Sequence, residues 1–333
     1  MHNRTYGKFI KLICLLCAIS LFPLLTACNK NTDEEQTSGE VYYTISFNTN
    51  GGSAVESLKV LENQYATRPE DPTLDNYVFR RWEYEGREWD FETKRVTENV
   101  TVSALWVSAI ELFSLEPDES NEGLMITGFK KQASFSTLRI PSVINGKKIV
   151  GIADEAMQGM HTEHAQTIII PETITYIGDN AFEGATGVSI VFEGPVNRIG
   201  EASFDSCEML KEIKLGTGID KIPFMAFSGC SALKTVNIPE GVSIIDENSF
   251  EDCTSMKTVV FPTTLTSIED SAFLGCSAIV SIFFAGSEDQ FDAIEIADGN
   301  DALLDAKVYF YSETEPVDDG EYWHYEKGNP VIW

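Results

Sequence analysis

The stretch IPEGVSIIDENSFEDCTSM, residues 238 to 256, decides the fold because its pattern returns along the second half of the chain. Alignment on its phenylalanine gives a series at intervals of 22, 23, 23 and 23 residues: Phe182, Phe204, Phe227, Phe250 and Phe273. A cysteine follows three residues later in four of these units: Cys207, Cys230, Cys253 and Cys276. Recurrence at a fixed period of this length predicts a repeat architecture.

A short run of alternating branched and aromatic residues lies ahead of each proline position of the repeat. These runs contain Ile168 and Ile170, Ile190 and Phe192, Ile213 and Leu215, Val236 and Ile238, Val259 and Phe261, and Ile282 and Phe284. Such alternation predicts a strand with one buried face. The segment around Phe250 suits one tight helical or 3₁₀ turn. We therefore predict a mainly β solenoid with one short strand and one tight helical turn per repeat, whose recurring positions stack as columns.

The series Ile238-Pro239-x-x-Val242-x-x-Ile245-x-x-x-x-Phe250-x-x-Cys253-x-x-Met256 resembles the BspA-type leucine-rich repeat of bacterial surface proteins. We place the repeats at residues 136–286. Residues 287–333 resemble the C-terminal cap found after such arrays, and a cap is needed because the last rung would expose unpaired strand groups. The resemblance implies an adhesin or surface receptor.

Residues 41–107 do not follow the repeat pattern. They contain strand-like runs and a tight turn at Asn50-Gly51-Gly52. The series Phe47-Asn-Thr-Asn-Gly-Gly52, Pro69 and Pro72, Tyr77-x-Phe79-x-x-Trp82, Trp89-Asp90-Phe91 and Leu105-Trp106 resembles the internalin B-repeat, also called the Listeria-Bacteroides repeat. This resemblance implies a small β-grasp-like module, although Arg81 replaces the usual glycine before Trp82. Residues 108–135 are predicted to form an N-terminal hairpin or cap of the array.

Residues 1–27 have a basic head and an apolar run that is too short to span a membrane, which predicts an export signal. Leu25-Thr26-Ala27-Cys28 resembles the lipobox of bacterial lipoproteins. That resemblance implies that Cys28 is lipidated and anchors the protein to the cell-envelope membrane, outside the cytoplasm. The alternative is an ordinary signal that ends near a cysteine. Residues 28–40 then form a flexible tether.

The formal net charge of −28 argues against a nucleic-acid partner, because binding to phosphate backbones depends on lysine and arginine. Loss of residues 1–27, which contain three basic residues and no acid, would change this value to −31. No nucleophile and base pair, phosphate loop or metal signature can be placed in a pocket. We therefore predict that the protein is not an enzyme and needs no cofactor.

Three features admit a second interpretation. The four repeat cysteines are predicted to be buried free thiols, since parallel Cβ vectors disfavour a disulfide between adjacent turns; a bridge between Cys230 and Cys253 is the alternative. His161 and His164 are expected in a solvated loop rather than at a metal. A column of acids is expected to form a solvated ridge, with calcium binding as the alternative: Asp179, Glu201, Glu247 and Asp270.

The outward positions of the strands form the candidate binding face. Its central residues are Ile169, Val191, Lys214, Asn237, Val260 and Phe283. Four of these six are apolar, and exposed apolar patches often mark interaction sites. The alternative is that the face packs on the hairpin of residues 109–135 or simply tolerates apolar side chains. We predict a protein ligand on a host or neighbouring cell. Two other interpretations remain. In one, the protein captures a glycan stacked on the aromatic residues Tyr322, Trp323, Tyr325 and Trp333; in the other, it is a purely structural envelope protein.

Overall fold

This computed structural model describes residues 40–130, 135–160, 165–316, 320–326 and 329–333. The predicted signal peptide, Cys28 and the tether up to residue 39 lie outside these ranges, as do His161 and His164. Residues 41 to 333 form one compact unit. The described helices have four residues each: α1 (Ala109–Leu112), α2 (Glu288–Phe291) and α3 (Asp301–Leu304). No helix in the described ranges has the length and apolar character needed to cross a bilayer.

Five strands at the start of the described chain form one mixed sheet. They are β1 (Tyr42–Asn48), β2 (Leu58–Leu61), β3 (Tyr77–Tyr84), β4 (Arg87–Glu88) and β5 (Val100–Ser108). The order is β2-β1-β5-β3-β4, with β1 and β5 parallel and adjacent, as in a β-grasp sheet. Trp82 and Trp89 are buried in its core, and β3 continues through Arg81 with a shift of register. The predicted turn also forms, since Asn50 and Gly51 both have positive φ.

The repeat region contributes a first parallel sheet that is divided into two parts. The first part has the order β13-β11-β8, and the second has the order β16-β18-β20-β22-β23-β24. The strands are β8 (Phe135–Arg139), β11 (Ala165–Ile170), β13 (Ser189–Phe192), β16 (Thr235–Asn237), β18 (Thr258–Phe261), β20 (Ser281–Phe284), β22 (Lys307–Tyr311), β23 (Tyr322–Glu326) and β24 (Asn329–Ile332). Neighbouring strands pair in parallel, except for the closing hairpin of β23 and β24. The solenoid prediction is therefore confirmed.

A second sheet, which the sequence did not predict, is built from segments ahead of the first regular repeat and from two-residue strands further along. In each repeat the two-residue strand ends on the second residue of the aliphatic pair that follows the proline position, such as Ile177 of the pair Ile174 and Ile177. Its strands are β6 (Phe113–Pro117), β7 (Gly123–Phe129), β9 (Val143–Ile144), β10 (Lys147–Ile152), β12 (Tyr176–Ile177), β14 (Arg198–Ile199), β15 (Lys221–Ile222), β17 (Ile244–Ile245), β19 (Ser267–Ile268) and β21 (Glu295–Ile296). This sheet is also divided, into β14-β12-β10-β7-β6 and β15-β17-β19-β21, and β9 pairs with β10. A regular turn, such as the one with β16 and β17, therefore carries one strand of each sheet.

The strand predicted at Ile213 and Leu215 does not form, and this prediction is wrong. The segment bonds instead to Val196 of the previous turn, which donates to the Lys214 carbonyl at 2.9 Å and accepts from the Gly216 N–H at 2.7 Å. A Cβ on Gly216 would collide with Asn197, so glycine permits this close approach. The segment is thereby held beside Val196 rather than along β13, and the first sheet is interrupted at this turn.

Proline explains the matching break in the second sheet. The residue after each aliphatic pair normally donates its N–H to the turn before, as Asp246 does to the Ile222 carbonyl at 2.9 Å. Gly200 makes the equivalent bond to Ile177 at 2.9 Å. Pro223 occupies this position in the turn between them and has no N–H to donate. The ladder between β14 and β15 is therefore absent.

A third set of backbone bonds crosses both breaks. Around Phe182, the N–H groups of Asn180, Phe182 and Gly184 donate to carbonyls of the next turn at 2.8 to 2.9 Å. The same three bonds recur around Phe204, Phe227 and Phe250. Two left-handed residues frame each segment, such as Asn248 at φ 55° and Asp252 at φ 56°. Because left-handed residues do not continue a helix, these segments are series of tight turns rather than regular helical turns.

The predicted phenylalanine column lies along the centre of the core. The five rings are fully buried and stack in series, with centroid distances of 5.6, 5.4, 5.2 and 5.1 Å from Phe182 to Phe273. The interplanar angles are 17° or less. Stacking of turns thus converts one recurring position into a continuous file of aromatic contacts.

Both ends of the array are covered. At the N-terminal end, Val78 of β3 belongs to the core of the array, and the Asn76 carbonyl accepts the Ala109 N–H at 2.8 Å. At the other end, the buried Asn300 side chain takes the place of the backbone carbonyl that a further turn would supply. Its Oδ1 accepts the Phe273 N–H at 2.9 Å. Its Nδ2 donates to the Glu269 carbonyl at 2.9 Å. One amide side chain therefore ends the ladder of tight turns.

Candidate binding groove

The structure brings the predicted binding residues together on the first sheet. In the parallel register Ile169 lies opposite Val191, and Val260 lies between Asn237 and Phe283. Lys214, from the interrupted turn, borders the same depression as Val191 and Asn237. Val191, Lys214 and Asn237 are exposed, while Ile169 is half-buried. These residues form one face, but only part of it meets solvent.

The expectation that Val260 and Phe283 are exposed is wrong. Their exposed fractions are 2% and 5%, because Trp323 of the C-terminal cap packs on them together with Tyr309. The ring centroids of Phe283 and Trp323 are 5.4 Å apart. The described strands of the hairpin, β6 and β7, do not provide this cover, since β7 pairs with β10 at the end of the second sheet. The apolar character of this half of the face is therefore explained by burial.

The exposed half of the face is the floor of a groove of about 1070 Å³, which we call the strand groove. It extends over the turn where the first sheet is interrupted, from Val191 through Lys214 to Asn237. Tyr325 and Pro330 of the closing hairpin border it at the C-terminal end. The groove thus spans the break in the strand ladder and ends at the C-terminal cap.

A lysine column lies beside this groove, and the sequence reasoning missed it. Lys211 and Lys234 border the groove with Lys214, and Lys257 follows Lys234 by the same interval of 23 residues. All four lysines are exposed. The repeat register already contained this signal, because each of the three spaced lysines stands seven residues after a core phenylalanine. In a chain with a net charge of −28, such a cluster favours a negatively charged partner.

The repeat cysteines form a buried file of free thiols. Each Sγ donates to the backbone carbonyl of the phenylalanine one turn earlier, as Cys230 does to Phe204 at 3.2 Å. Cys253 makes the equivalent bond to Phe227 at 3.2 Å. Burial raises the pKa of the Cys207 and Cys230 thiols well above the ordinary value. These thiols therefore stay protonated and serve as small core residues with one satisfied hydrogen bond.

We expect the four cysteines of a chain spanning residues 29–333 to resist alkylation by iodoacetamide in the native state and to react fully after unfolding. Burial blocks access, and the raised pKa of Cys207 and Cys230 leaves almost no thiolate at neutral pH. Mass spectrometry without reductant measures both the labels and any bridge. A native disulfide between Cys230 and Cys253 would contradict this expectation.

One acid of the predicted column, Asp179, is tied to the backbone of the array together with Asp154 of the turn before. Asp179 Oδ1 accepts the Glu201 N–H at 2.8 Å, and Asp154 Oδ1 accepts the Asp179 N–H at 2.9 Å. These carboxylates therefore continue the turn-to-turn bonding on the outside of the solenoid. Across the described ranges, no group of three or more histidine, cysteine or acidic side chains is arranged to hold a metal ion.

The C-terminal aromatic residues divide into two groups. Trp323 is fully buried, and its Nε1 donates to the Phe284 carbonyl at 2.9 Å, so it seals the array. Tyr325 and Trp333 keep exposed fractions of 44% and 43%. Trp333 stacks on His324 with a centroid distance of 3.8 Å. Tyr322 is half-buried, so Tyr325 and Trp333 are the two rings of the predicted set that an external ligand can reach most easily.

The chain matches two family models. The BspA type Leucine rich repeat region matches in six copies over residues 128–230 and 186–293. The Listeria-Bacteroides repeat domain matches residues 43–105. Both resemblances seen in the motifs are therefore confirmed.

Two proteins of Evansella cellulosilytica are similar over shorter segments. The first, whose name suggests a membrane protein, is 31% identical over 113 residues, which are 33% of this chain and 17% of that protein. The second, whose name suggests a glycine-rich membrane protein, is 36% identical over 67 residues, which are 19% of this chain and 8% of that protein. The chain thus spans a small part of the length of these relatives.

Solved structures of bacterial repeat proteins are also similar. A leucine-rich repeat protein of T. pallidum is 22% identical with a TM-score of 0.49, and the match covers 57% of this chain and 85% of that one. A leucine-rich repeat protein from Eubacterium ventriosum is 21% identical with a TM-score of 0.43, covering 61% of this chain and 55% of that one. From its repeats and its first module, the chain belongs to the BspA-type leucine-rich repeat proteins, with a Listeria-Bacteroides repeat domain ahead of the array.

Proposed function

We propose that this protein is a surface-exposed binding or adhesion protein that holds a protein segment of a host or neighbouring cell in the strand groove. The observation that carries the proposal is the open groove of about 1070 Å³ on the first sheet. Arrays of stacked repeats present extended surfaces on which a partner can be bound. The family is one of binding scaffolds, and no catalytic role is proposed.

The charge around the groove specifies the partner further. Lys211, Lys214 and Lys234 border it, against Glu212 and Glu240. This local excess of lysine contrasts with the acidic surface elsewhere and favours an acidic segment, which the lysines would attract at a distance and orient on contact. The exposed Val191 adds an apolar contact on the floor. An acidic segment with an apolar side chain fits this combination.

Attachment to the cell envelope through lipidated Cys28 belongs to the same proposal. It is supported by the resemblance of Leu25-Thr26-Ala27-Cys28 to a lipobox and by the membership of this family among surface proteins. The mass of the N-terminal peptide of the mature protein tests this part. A peptide that begins elsewhere and carries no acyl chain would refute lipidation but not binding by the groove.

We expect the double change Lys214→Glu and Lys234→Glu to weaken binding by about tenfold or more, because both charges beside the groove are reversed. The measurement is surface plasmon resonance of residues 29–333 against purified extracellular-matrix proteins and a polyglutamate peptide. The matched control is Lys59→Glu with Lys148→Glu, which makes the same change of charge on exposed strands away from the groove. Equal affinity of the groove variant and the unchanged protein would contradict the proposal.

Glycan capture is a second candidate, favoured by the exposed rings of Tyr325 and Trp333 at the C-terminal end. Aromatic rings of this kind can stack against sugar rings. A glycan array distinguishes the two candidates: binding to glycans that is lost in Trp333→Ala and kept in the lysine variant would favour this one. A purely structural envelope protein would bind neither matrix proteins nor glycans.

A further inference from the structure

Three lysines of the lysine column recur at intervals of 23 residues and occupy the same position on successive turns: Lys211, Lys234 and Lys257. The Lys257 N–H donates to the Lys234 carbonyl at 2.9 Å, so these two turns are in direct backbone contact. On the next turn Val280 stands at this position, and its N–H donates to the Lys257 carbonyl at 3.1 Å. The charges therefore follow one another at one turn per step, which is roughly 4.8 Å for paired strands.

Lys234 and Lys257 are exposed cations that nothing nearby neutralises. Among the described residues, no ion pair includes either of them. Residues 231–237 and 254–260 contain no acid, although the chain has 52 acidic residues. Lys211 is less isolated, because Glu212 follows it directly. Unpaired cations at a fixed spacing attract a ligand that carries a series of negative charges.

Hydroxyl groups form a second file beside the lysines. The parallel register places Thr235 opposite Thr258, and Thr258 opposite Ser281. Thr235 is exposed, and the other two are half-buried. A hydroxyl group can both donate and accept hydrogen bonds. The surface therefore offers a strip of positive charge with hydroxyl groups at its side, which suits an anion that is itself rich in hydroxyl groups.

The spacing of the charges distinguishes between linear polyanions. In an extended peptide, side chains on one face recur at about 6.6 Å, which is twice the rise per residue. On a helix, residues four apart recur at about 6 Å along the axis. Both distances exceed one turn of the array. In an extended chain of pyranose sugars, one ring and its bridging oxygen have a combined length close to one turn, so successive sugars can follow successive lysines.

We propose that the lysine column binds a linear acidic polysaccharide that lies across the turns, with its anionic groups on Lys211, Lys234 and Lys257 and its hydroxyl groups on Thr235 and Thr258. Duplex nucleic acid fits less well, because its charges follow at about 1.7 Å and the acidic surface around the column repels them more strongly. The inference goes beyond binding of a protein segment by the strand groove and does not rest on it, since Lys257 lies outside the groove.

Isothermal titration calorimetry of residues 29–333, which include the whole compact unit, tests the proposal at about 0.15 M salt. Oligogalacturonate carries carboxylates and dextran sulfate carries sulfates, so these two probes distinguish the anionic group. Neutral dextran, polyglutamate and oligothymidylate are the comparisons. We expect at least one of the two acidic polysaccharides to bind more tightly than all three comparisons.

Lys257→Ala should weaken that binding about three- to fivefold, and Lys234→Ala combined with Lys257→Ala about tenfold or more, because each change removes one ionic contact. Lys257→Arg keeps the charge and should keep most of the affinity. Lys148→Ala is the matched control, since it removes an exposed lysine of the second sheet and should leave the affinity unchanged. Circular dichroism confirms that each variant is folded.

The proposal is overturned if neither acidic polysaccharide binds, if polyglutamate or oligothymidylate binds as tightly, or if folded Lys257→Ala keeps the full affinity. The two sites are separated by comparison with matrix-protein binding. Lys257→Ala should weaken polysaccharide binding and leave matrix-protein binding unchanged, while Lys214→Ala should do the opposite. Failure of the strand groove and failure of the lysine column are therefore distinguishable.

Discussion

Replacement of Phe227 by alanine is expected to lower the free energy of unfolding by about 3–5 kcal/mol, the range for a large aromatic residue removed from a packed core. The Phe227 ring is fully buried between Phe204 at 5.4 Å and Phe250 at 5.2 Å, so both stacking contacts are lost and a cavity remains. Urea denaturation followed by circular dichroism measures the change.

The position of Phe227 in the array increases the consequence. Each turn of a solenoid is stabilised mainly by its two neighbours, and both sheets are already interrupted close to this turn, at Leu215 and at Pro223. The phenylalanine file and the ladder of tight turns are therefore the continuous links across it. We expect a broadened or two-step transition. Met209→Ala, at an exposed site, is the control, and an equally small loss for both variants would contradict the central role of the file.

Replacement of Trp323 by alanine is expected to cost about 3–5 kcal/mol and to uncover the apolar end of the first sheet. Trp323 is fully buried, packs on Phe283 with a centroid distance of 5.4 Å, and donates to the Phe284 carbonyl at 2.9 Å. Its loss removes a large contact area and leaves that carbonyl without this donor. Chemical denaturation gives the stability, and fluorescence of an added hydrophobic dye reports the uncovered surface.

Two further variants sharpen this test. Trp323→Phe keeps an aromatic ring but loses the hydrogen bond, and we expect it to recover most of the stability, with a remaining cost of about 1 kcal/mol. Trp333→Ala removes a tryptophan that is largely exposed, so it should change stability little. If Trp323→Ala and Trp333→Ala had the same effect, the cap would not depend on Trp323. The role of Val260 and Phe283 as covered core residues would then need revision.

The regular spacing of the repeated residues was sufficient to predict the solenoid. A period of 23 residues places Phe227 and Phe250 on neighbouring turns, and nothing but stacking can bury all such positions at once. The same spacing predicted the cysteine file. The B-repeat motif predicted the first module, because its aromatic residues, including Trp82 and Trp89, are the core of that sheet.

The binding face was predicted less well. Alternation identifies which residues point away from the core, but it does not identify what lies above them. Val260 and Phe283 share the outward register of Val191, yet they are buried by a tryptophan that stands 40 residues after Phe283 in the chain. No local pattern connects these positions, since the contact is made only when the cap folds back on the sheet.

The sequence by itself thus determined the period, the core files and the family, because these depend on local spacing that every turn repeats. Tertiary structure alone decided where the ladders stop, which half of the face is open and where the strand groove lies. These features arise from single residues that break the repeat, such as Gly216 and Pro223, and from segments distant in the chain that meet in space, such as Trp323 with Phe283. The sequence shows these exceptions, but their effect depends on the residues of the neighbouring turns and of the cap that they meet when the chain is packed.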